Sequence, residues 1–349
     1  MKILFNRNNS IGIFCLLLLL AVGAVSCIKD EYAENKEKAT LTLYFTTTKS
    51  SNGASSDGIT IGPELPNEHM RTLRVIVVDK QGKIRYNTKV NVPEDQAQTV
   101  INFSELIVDS DGTTTFDVYA IANEEVYAAN NEWEGTNINL EVLKNEILDN
   151  TILSKLNEGI AKDKYEEGYA VPQTAIQEVT VTPGQENSAT IPLEFVVAKV
   201  SLSFNNETGK AQTLSDVKIA RAKPDKGFLC NDENNETIYI PTDVIYSDVT
   251  WSKTVIYAGT EVNPKVYEYS PIYLFPGQNP LLNNGYILSA TLNESDSREL
   301  EMSSITGLDR GQELKINIRL YKKAVDTHID LIWEVVDWQK SSNTVPSFN

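Results

Sequence analysis

From Ala39 onward the chain alternates apolar and polar residues with a period of two. In "ATLTLYFTTT", Leu41, Leu43 and Phe45 share one face and Thr40, Thr42, Tyr44 and Thr46 the other, which is the pattern of a half-buried strand. The stretch that follows, "SSNGASSDGITIGPELPNEHM", is rich in Ser, Gly, Asn and Pro and reads as a long loop. "TLRVIVVDKQGKIRY" then predicts a hairpin turning at Lys80 to Gly82. "TFDVYAIANEE" adds a strand with Phe116, Val118 and Ala120 on one face and Tyr119 and Ile121 on the other. One segment changes period: "NINLEVLKNEILDNTILSKL" sets Leu140, Leu143, Ile147 and Leu148 at helical spacing behind the capping residues Thr136 and Asn137, predicting a helix over one sheet.

"IPLEFVVAKVSLSF" switches its apolar face partway. Ile191, Leu193, Phe195 and Val197 are odd-numbered, whereas Val200, Leu202 and Phe204 are even and Lys199, Ser201 and Ser203 are polar. A one-residue shift sends side chains to the opposite face, so the strand is expected to leave one core and enter another. The second half repeats the strand pattern in "YILSATL", in "ELKINIRLY" with Leu314, Ile316, Ile318 and Leu320 inward, and in "HIDLIWEVVDW". The expected fold is all-β, two tandem β-sandwich domains with a short helix on the first. The divisions are 1–26 as signal, 27–38 as tether, 39–188 as the N-terminal sandwich and 189–349 as the C-terminal sandwich with a candidate donor-strand tail.

The amino terminus changes the picture. "MKILFNRNNS" carries Lys2 and Arg7 without an acid, and Ile11 to Val25 form an apolar run ending in small residues, the parts of a signal peptide. The run is short for a spanning helix and lacks a basic stop-transfer cluster. "AVSC" resembles the lipobox of bacterial lipoproteins, which implies cleavage between Ser26 and Cys27 and a covalent lipid on Cys27. "KDE" at Lys29 to Glu31 resembles the export signal that sends Bacteroidetes lipoproteins to the outer face of the outer membrane.

Composition narrows the chemistry. A net charge of −17, more negative still once Lys2 and Arg7 are lost, argues against nucleic acid as a partner. Cys15 leaves with the signal and Cys27 takes the lipid, so Cys230 in "GFLCND" has no partner for an internal disulfide and reads as a small apolar residue at a strand end. With only His69 and His328, a histidine-rich metal site is excluded and a Ser-His-Asp triad is not expected. No G-x-S-x-G, P-loop, H-E-x-x-H or dinucleotide fingerprint occurs, and "SDVK" at Ser215 to Lys218 lacks the companion motifs of penicillin-binding enzymes. "DSDG" at Asp109 to Gly112 and "NDENNE" at Asn231 to Glu236 lack the ligand ladder of a calcium loop. The chain is expected to be no enzyme and to need no cofactor. N-x-S/T sequences stand at Asn206, Asn235 and Asn293, and Trp133 and Trp251 lie in polar contexts open to a glycan-binding role.

"ATLTLYFTTTKS" behind a lipobox, then "TLRVIVVDKQG" and "TFDVYAIANEE", resemble the N-terminal domain of the fimbrillins, the FimA-type pilus subunits of Bacteroidetes. "EFVVAKVSLSFNN", "GLDRGQELKINIRLY" and "IWEVVDW" are similar to segments of their second domain. The resemblance implies transthyretin-like sandwiches, export as a surface lipoprotein, and proteolytic removal of the first strand with Leu41, Leu43 and Phe45. It further implies assembly with other fimbrial subunits by strand donation, serving adhesion. The donor would be the segment around His328 to Trp338, anchored by Trp333 and Trp338. The family's processing residue is commonly an Arg soon after the first strand, whereas this chain has Lys49 there and Arg71 beyond the loop. An uncut chain would be an anchor or tip subunit, or a non-polymerising surface lipoprotein that binds glycan or host protein.

Overall fold

The computed structural model describes residues 36–47, 65–93, 98–109, 112–127, 133–136, 138–164, 167–230, 240–257, 259, 265–278, 285–303, 305–323 and 326–337. Residues 1–26, expected to be a signal peptide, together with Cys27, Lys49, Asn231 to Glu236 and Trp338, lie outside them. No helix among the described residues is long and apolar enough to cross a membrane.

The first half opens with five strands, of which the first, second, third and fifth lie where the sequence pattern predicts strands. They are β1 (Lys36–Thr47), β2 (Thr72–Asp79), β3 (Ile84–Asn91), β4 (Gln98–Asp109) and β5 (Thr114–Ala122). Helix α1 (Leu140–Lys144), β6 (Ile147–Asp149), α2 (Asn150–Ala161), β7 (Gln173–Val181) and β8 (Glu186–Phe195) complete this half. Seven strands hydrogen-bond in the order β3-β2-β5-β7-β8-β1-β4. Every residue of β2 is buried, as are the last five of β5, so these central strands are covered on both faces and Tyr119 and Ile121 are as enclosed as Phe116 and Val118. The β2–β3 turn forms where expected: Gly82 has φ +77°, and the Asp79 carboxylate accepts from the backbone N–H groups of Gln81 and Lys83 at 3.0 and 2.9 Å.

The single helix expected from Leu140 onward is instead two. Asn139 rather than Thr136 caps α1, accepting from Glu141 N and Val142 N, and Asp149 caps α2 through Thr151 N at 2.8 Å, while Asn137 lies outside the described residues. Between them β6 pairs with β11 (Lys226–Phe228), about eighty residues along the chain, which pulls Ile147 to Asp149 out of helical geometry and leaves Ile147 49% exposed. A local periodicity cannot register such a remote partner.

The second half contains β9 (Ala198–Asn206), β10 (Gln212–Pro224), β11, β12 (Tyr246–Trp251), β13 (Thr254–Ile256), β14 (Lys265–Glu268), β15 (Ile272–Leu274) and β16 (Gly277–Gln278). It continues with β17 (Gly285–Leu292), β18 (Asp296–Ser303), β19 (Gly307–Leu308), β20 (Gln312–Lys323) and β21 (Asp326–Asp337). Sheets β12-β10-β17-β18 and β14-β9-β20-β21 enclose one core, with Leu314, Ile316, Ile318 and Leu320 inward as expected. The face switch falls at Val196–Val197, where the chain leaves β8 and enters β9 of a different sheet. A second core joins the helices to one face of β2 and β5 and takes in Leu229, Cys230, Tyr273 and Phe275 from the second half, so that core is shared along the sequence.

The chain divides into two compact units. The smaller takes the described residues up to Thr42 with Asn102–Thr115 and Thr180–Ser188, and the larger takes Leu43–Ile101, Phe116–Val179 and Ala189 onward. Within the smaller, Lys38 pairs with Glu105 at 3.0 Å and the Asn187 amide bridges Thr182 and the Thr40 carbonyl.

Candidate functional site

β1 is not an edge strand. It lies between β8 and β4 in the sheet order, and its side chains alternate, with Ala39, Leu41, Leu43 and Phe45 buried while Thr40 is exposed and Thr42, Tyr44 and Thr46 are intermediate. Fully burying two Leu and one Phe contributes roughly 1.5–3 kcal/mol per side chain. Lifting β1 out would therefore open a groove with unpaired backbone on both walls and apolar sockets along its floor.

The segment after the undescribed stretch is bound firmly. Asn123, the last residue of "YAIAN", adopts a left-handed φ of +57° and is fully buried. Its Nδ2 donates to the carbonyls of His69 (3.0 Å) and Val171 (2.7 Å), and its Oδ1 accepts from Arg71 N (2.8 Å) and Thr72 N (3.4 Å). Just upstream, Pro66–Glu68 form one 3-10 turn that places Asn67 and Glu68 at zero exposure. Glu68 Oε1 accepts from Lys199 Nζ at 2.8 Å and from the Tyr273 hydroxyl at 2.9 Å. Glu313 stands 3.7 Å from the same ammonium and accepts from Ser201 Oγ. Lys199, read from sequence as a polar-face residue of β9, is thus 4% exposed and tied to Glu68. The parity swap indicated where the strand turns but not that its first polar residue would be enclosed.

At the other end, β21 pairs with β20 over its whole length, from Gln312↔Asp337 to Lys323↔Asp326, and is an edge of its sheet. Its core-side residues Ile329, Leu331 and Trp333 are only partly buried, and Val335 is 38% exposed, although their β20 partners Leu320, Ile318, Ile316 and Leu314 are almost fully enclosed. Ile332 on the opposite face is 52% exposed. The last strand therefore overhangs its core.

The remaining candidates become structural. Cys230 is 3% exposed, and burial, with Glu146 adding to it against the opposing pull of Arg310 and Lys144, raises its thiol to about 11, the reverse of a reactive cysteine. Arg310 of "GLDRGQ" is held by the carbonyls of Phe228 and Leu229 and the Thr174 hydroxyl, clamping the end of β11. Trp251 is 8% exposed within a core and Trp133 is partly buried against Tyr127, so neither is an open aromatic platform. Asn206 has no exposure, and its Nδ2 donates to three backbone carbonyls. "SDVK" sits on a bulge of β10, where Asp216 has φ +52° beside an open cleft of about 630 Å³. The charges along that cleft are met locally, Lys253 by Glu294 and Lys218 by Asp248. His69 closes the 3-10 turn and His328 stacks on Tyr321, far apart in their roles and without a shared partner among the described residues. No group of three or more His, Cys, Asp or Glu among the described residues is placed to hold a metal.

No family model matches the chain, and no curated protein matches it in sequence. Solved structures do match in fold. The tip fimbrial protein Mfa3 from Porphyromonas gingivalis, with a C-terminal truncation, aligns over 86% of this chain and 100% of its own at 11% identity, with a TM-score of 0.53. A candidate cell adhesion protein from Bacteroides eggerthii aligns over 86% and 96% at 14% identity, with a TM-score of 0.51. Another from Parabacteroides distasonis aligns over 88% and 99% at 12% identity, with a TM-score of 0.50. The all-β fold is thus shared with fimbrial and candidate adhesion proteins of Bacteroidetes.

Proposed function

We propose that this chain is a non-enzymatic subunit of a cell-surface fimbria. In this reading it is exported as a lipoprotein acylated at Cys27, attached to the outer membrane until processing, and joined to other subunits by strand donation after β1 is removed. The observation that carries the proposal is the interior position of β1 with its alternating burial. A strand in that place can be replaced by another of the same alternation, because the ladder and the sockets are re-satisfied together. β21 offers such a strand: Ile329, Leu331, Trp333 and Val335 repeat every second residue, as Ala39, Leu41, Leu43 and Phe45 do. Leaving β20 exchanges one ladder for another, so the driving force is the apolar surface that β21 leaves uncovered at home. Gaining at most about a third of the burial of four side chains amounts to roughly 2–4 kcal/mol. Trp333 is the anchor within the described residues and Trp338 the one beyond them.

A second reading, an uncut tip or anchor subunit that keeps β1 and contacts host glycan or protein, is supported by the fold shared with a tip fimbrial protein. Intact mass and N-terminal sequencing of the protein from its native surface separate the two. A chain starting downstream of β1 and found in fibres supports donation; a chain starting at acylated Cys27 overturns it in favour of the uncut subunit.

A further inference from the structure

We infer that the segment Leu65–Thr72 is a retained strap: processing that frees β1 leaves it in the folded subunit, and Arg71–Thr72 is not the processed bond. This rests on the assembly reading above and selects between its two basic candidates, Lys49 and Arg71. An endoprotease must draw several residues on both sides of the bond into an extended, accessible form, so cleavage of a folded chain follows the population of the locally opened state. Around Arg71 that state is suppressed. Met70 and Thr72 are 3% and 1% exposed, and both amide groups of Arg71 are in use, its N–H donating to Asn123 and its carbonyl accepting from Val92 N at 2.7 Å. Upstream, Val171 N donates to the Asn67 carbonyl at 2.6 Å and Gln173 donates to the Glu68 carbonyl, and on the downstream side Thr72 Oγ1 donates to Glu125.

The consequence of cutting at Arg71 is as telling as the obstacle. The departing piece would carry Glu68 with it, taking from the enclosed Lys199 ammonium its 2.8 Å carboxylate partner, while Glu313 stands farther off at 3.7 Å. Removing one partner of a buried ion pair is strongly destabilising. A subunit cut there would lose the contact that joins the segment before β2 to β9 and to Tyr273 of β15. A subunit that loses β1 but retains the strap keeps that contact.

The test treats the folded full-length precursor with an arginine-specific endoprotease and follows fragments by N-terminal sequencing. No fragment beginning at Thr72 is expected from native protein, while urea-unfolded precursor gives it readily. Glu68→Gln is expected to raise Arg71 cleavage roughly 10- to 100-fold by favouring the opened state. Lys199→Met provides the same comparison should Glu68→Gln not fold. Native cleavage at Arg71 as fast as in unfolded protein, or fibre subunits beginning at Thr72, overturns the inference while leaving strand donation intact. Subunits that lose β1, keep Leu65–Thr72 and never polymerise overturn strand donation and uphold the strap.

Discussion

Replacing Asn123 with alanine probes the residue that organises the strap. The side chain makes four hydrogen bonds, of which those to Val171 O at 2.7 Å, Arg71 N at 2.8 Å and His69 O at 3.0 Å are well formed and the one from Thr72 N at 3.4 Å is long. Orphaning a buried polar group costs about 1–3 kcal/mol, and water can reach part of this set, so the bonds together account for roughly 3 kcal/mol. The left-handed backbone adds about 1 kcal/mol for alanine, which asparagine tolerates and glycine avoids. Asn123→Ala should therefore destabilise by about 4 kcal/mol, a large share of the 5–15 kcal/mol typical of a folded domain. Asn123→Gly should be about 1 kcal/mol milder. Asn123→Asp keeps the acceptor but turns an oxygen toward two carbonyls, and should be no better than alanine. Urea unfolding followed by tryptophan fluorescence gives these differences from midpoint and slope. An alanine variant within 1 kcal/mol of the parent would refute the hub, and equal losses for alanine and glycine would refute the conformational part.

Two further outcomes test the packing. Burial raises the Glu124 carboxyl, but Arg74 and Lys89 outweigh it and leave it below its usual 4.5. Its stabilising contribution is therefore present above about pH 4.5 and lost as pH falls through the lower folded value. The gap in melting temperature between the parent and Arg74→Met should narrow from pH 7 to pH 3, and a constant gap would contradict the pairing. At the close approach of β16 and β19, a Cβ on Gly307 would stand 2.0 Å from the Gly277 carbonyl oxygen and 2.7 Å from Gln278 Cα. Those are backbone atoms with no rotamer to yield, so Gly307→Ala should lower stability by about 3 kcal/mol in the same urea assay, and a neutral result would show that the two strands can separate.

Period-two alternation is a property of neighbouring residues, so the sequence by itself determined the parts that depend only on it. These are β1 with Leu41, Leu43 and Phe45 on one face, the hairpin at Gly82, the inward row of β20, and the change of face that became the passage from β8 to β9. Tertiary structure alone decided whatever depends on a remote partner. Ile147–Asp149 looked helical until β11 claimed them; Lys199 looked solvated until Glu68 met it across 131 residues. Asn123 carried no motif because its role lies in four backbone groups from two other segments. The place of β1 inside the sheet and the overhang of β21 likewise follow from which strands pair and what covers them, because alternation specifies that a strand has an apolar face but not which surface receives it.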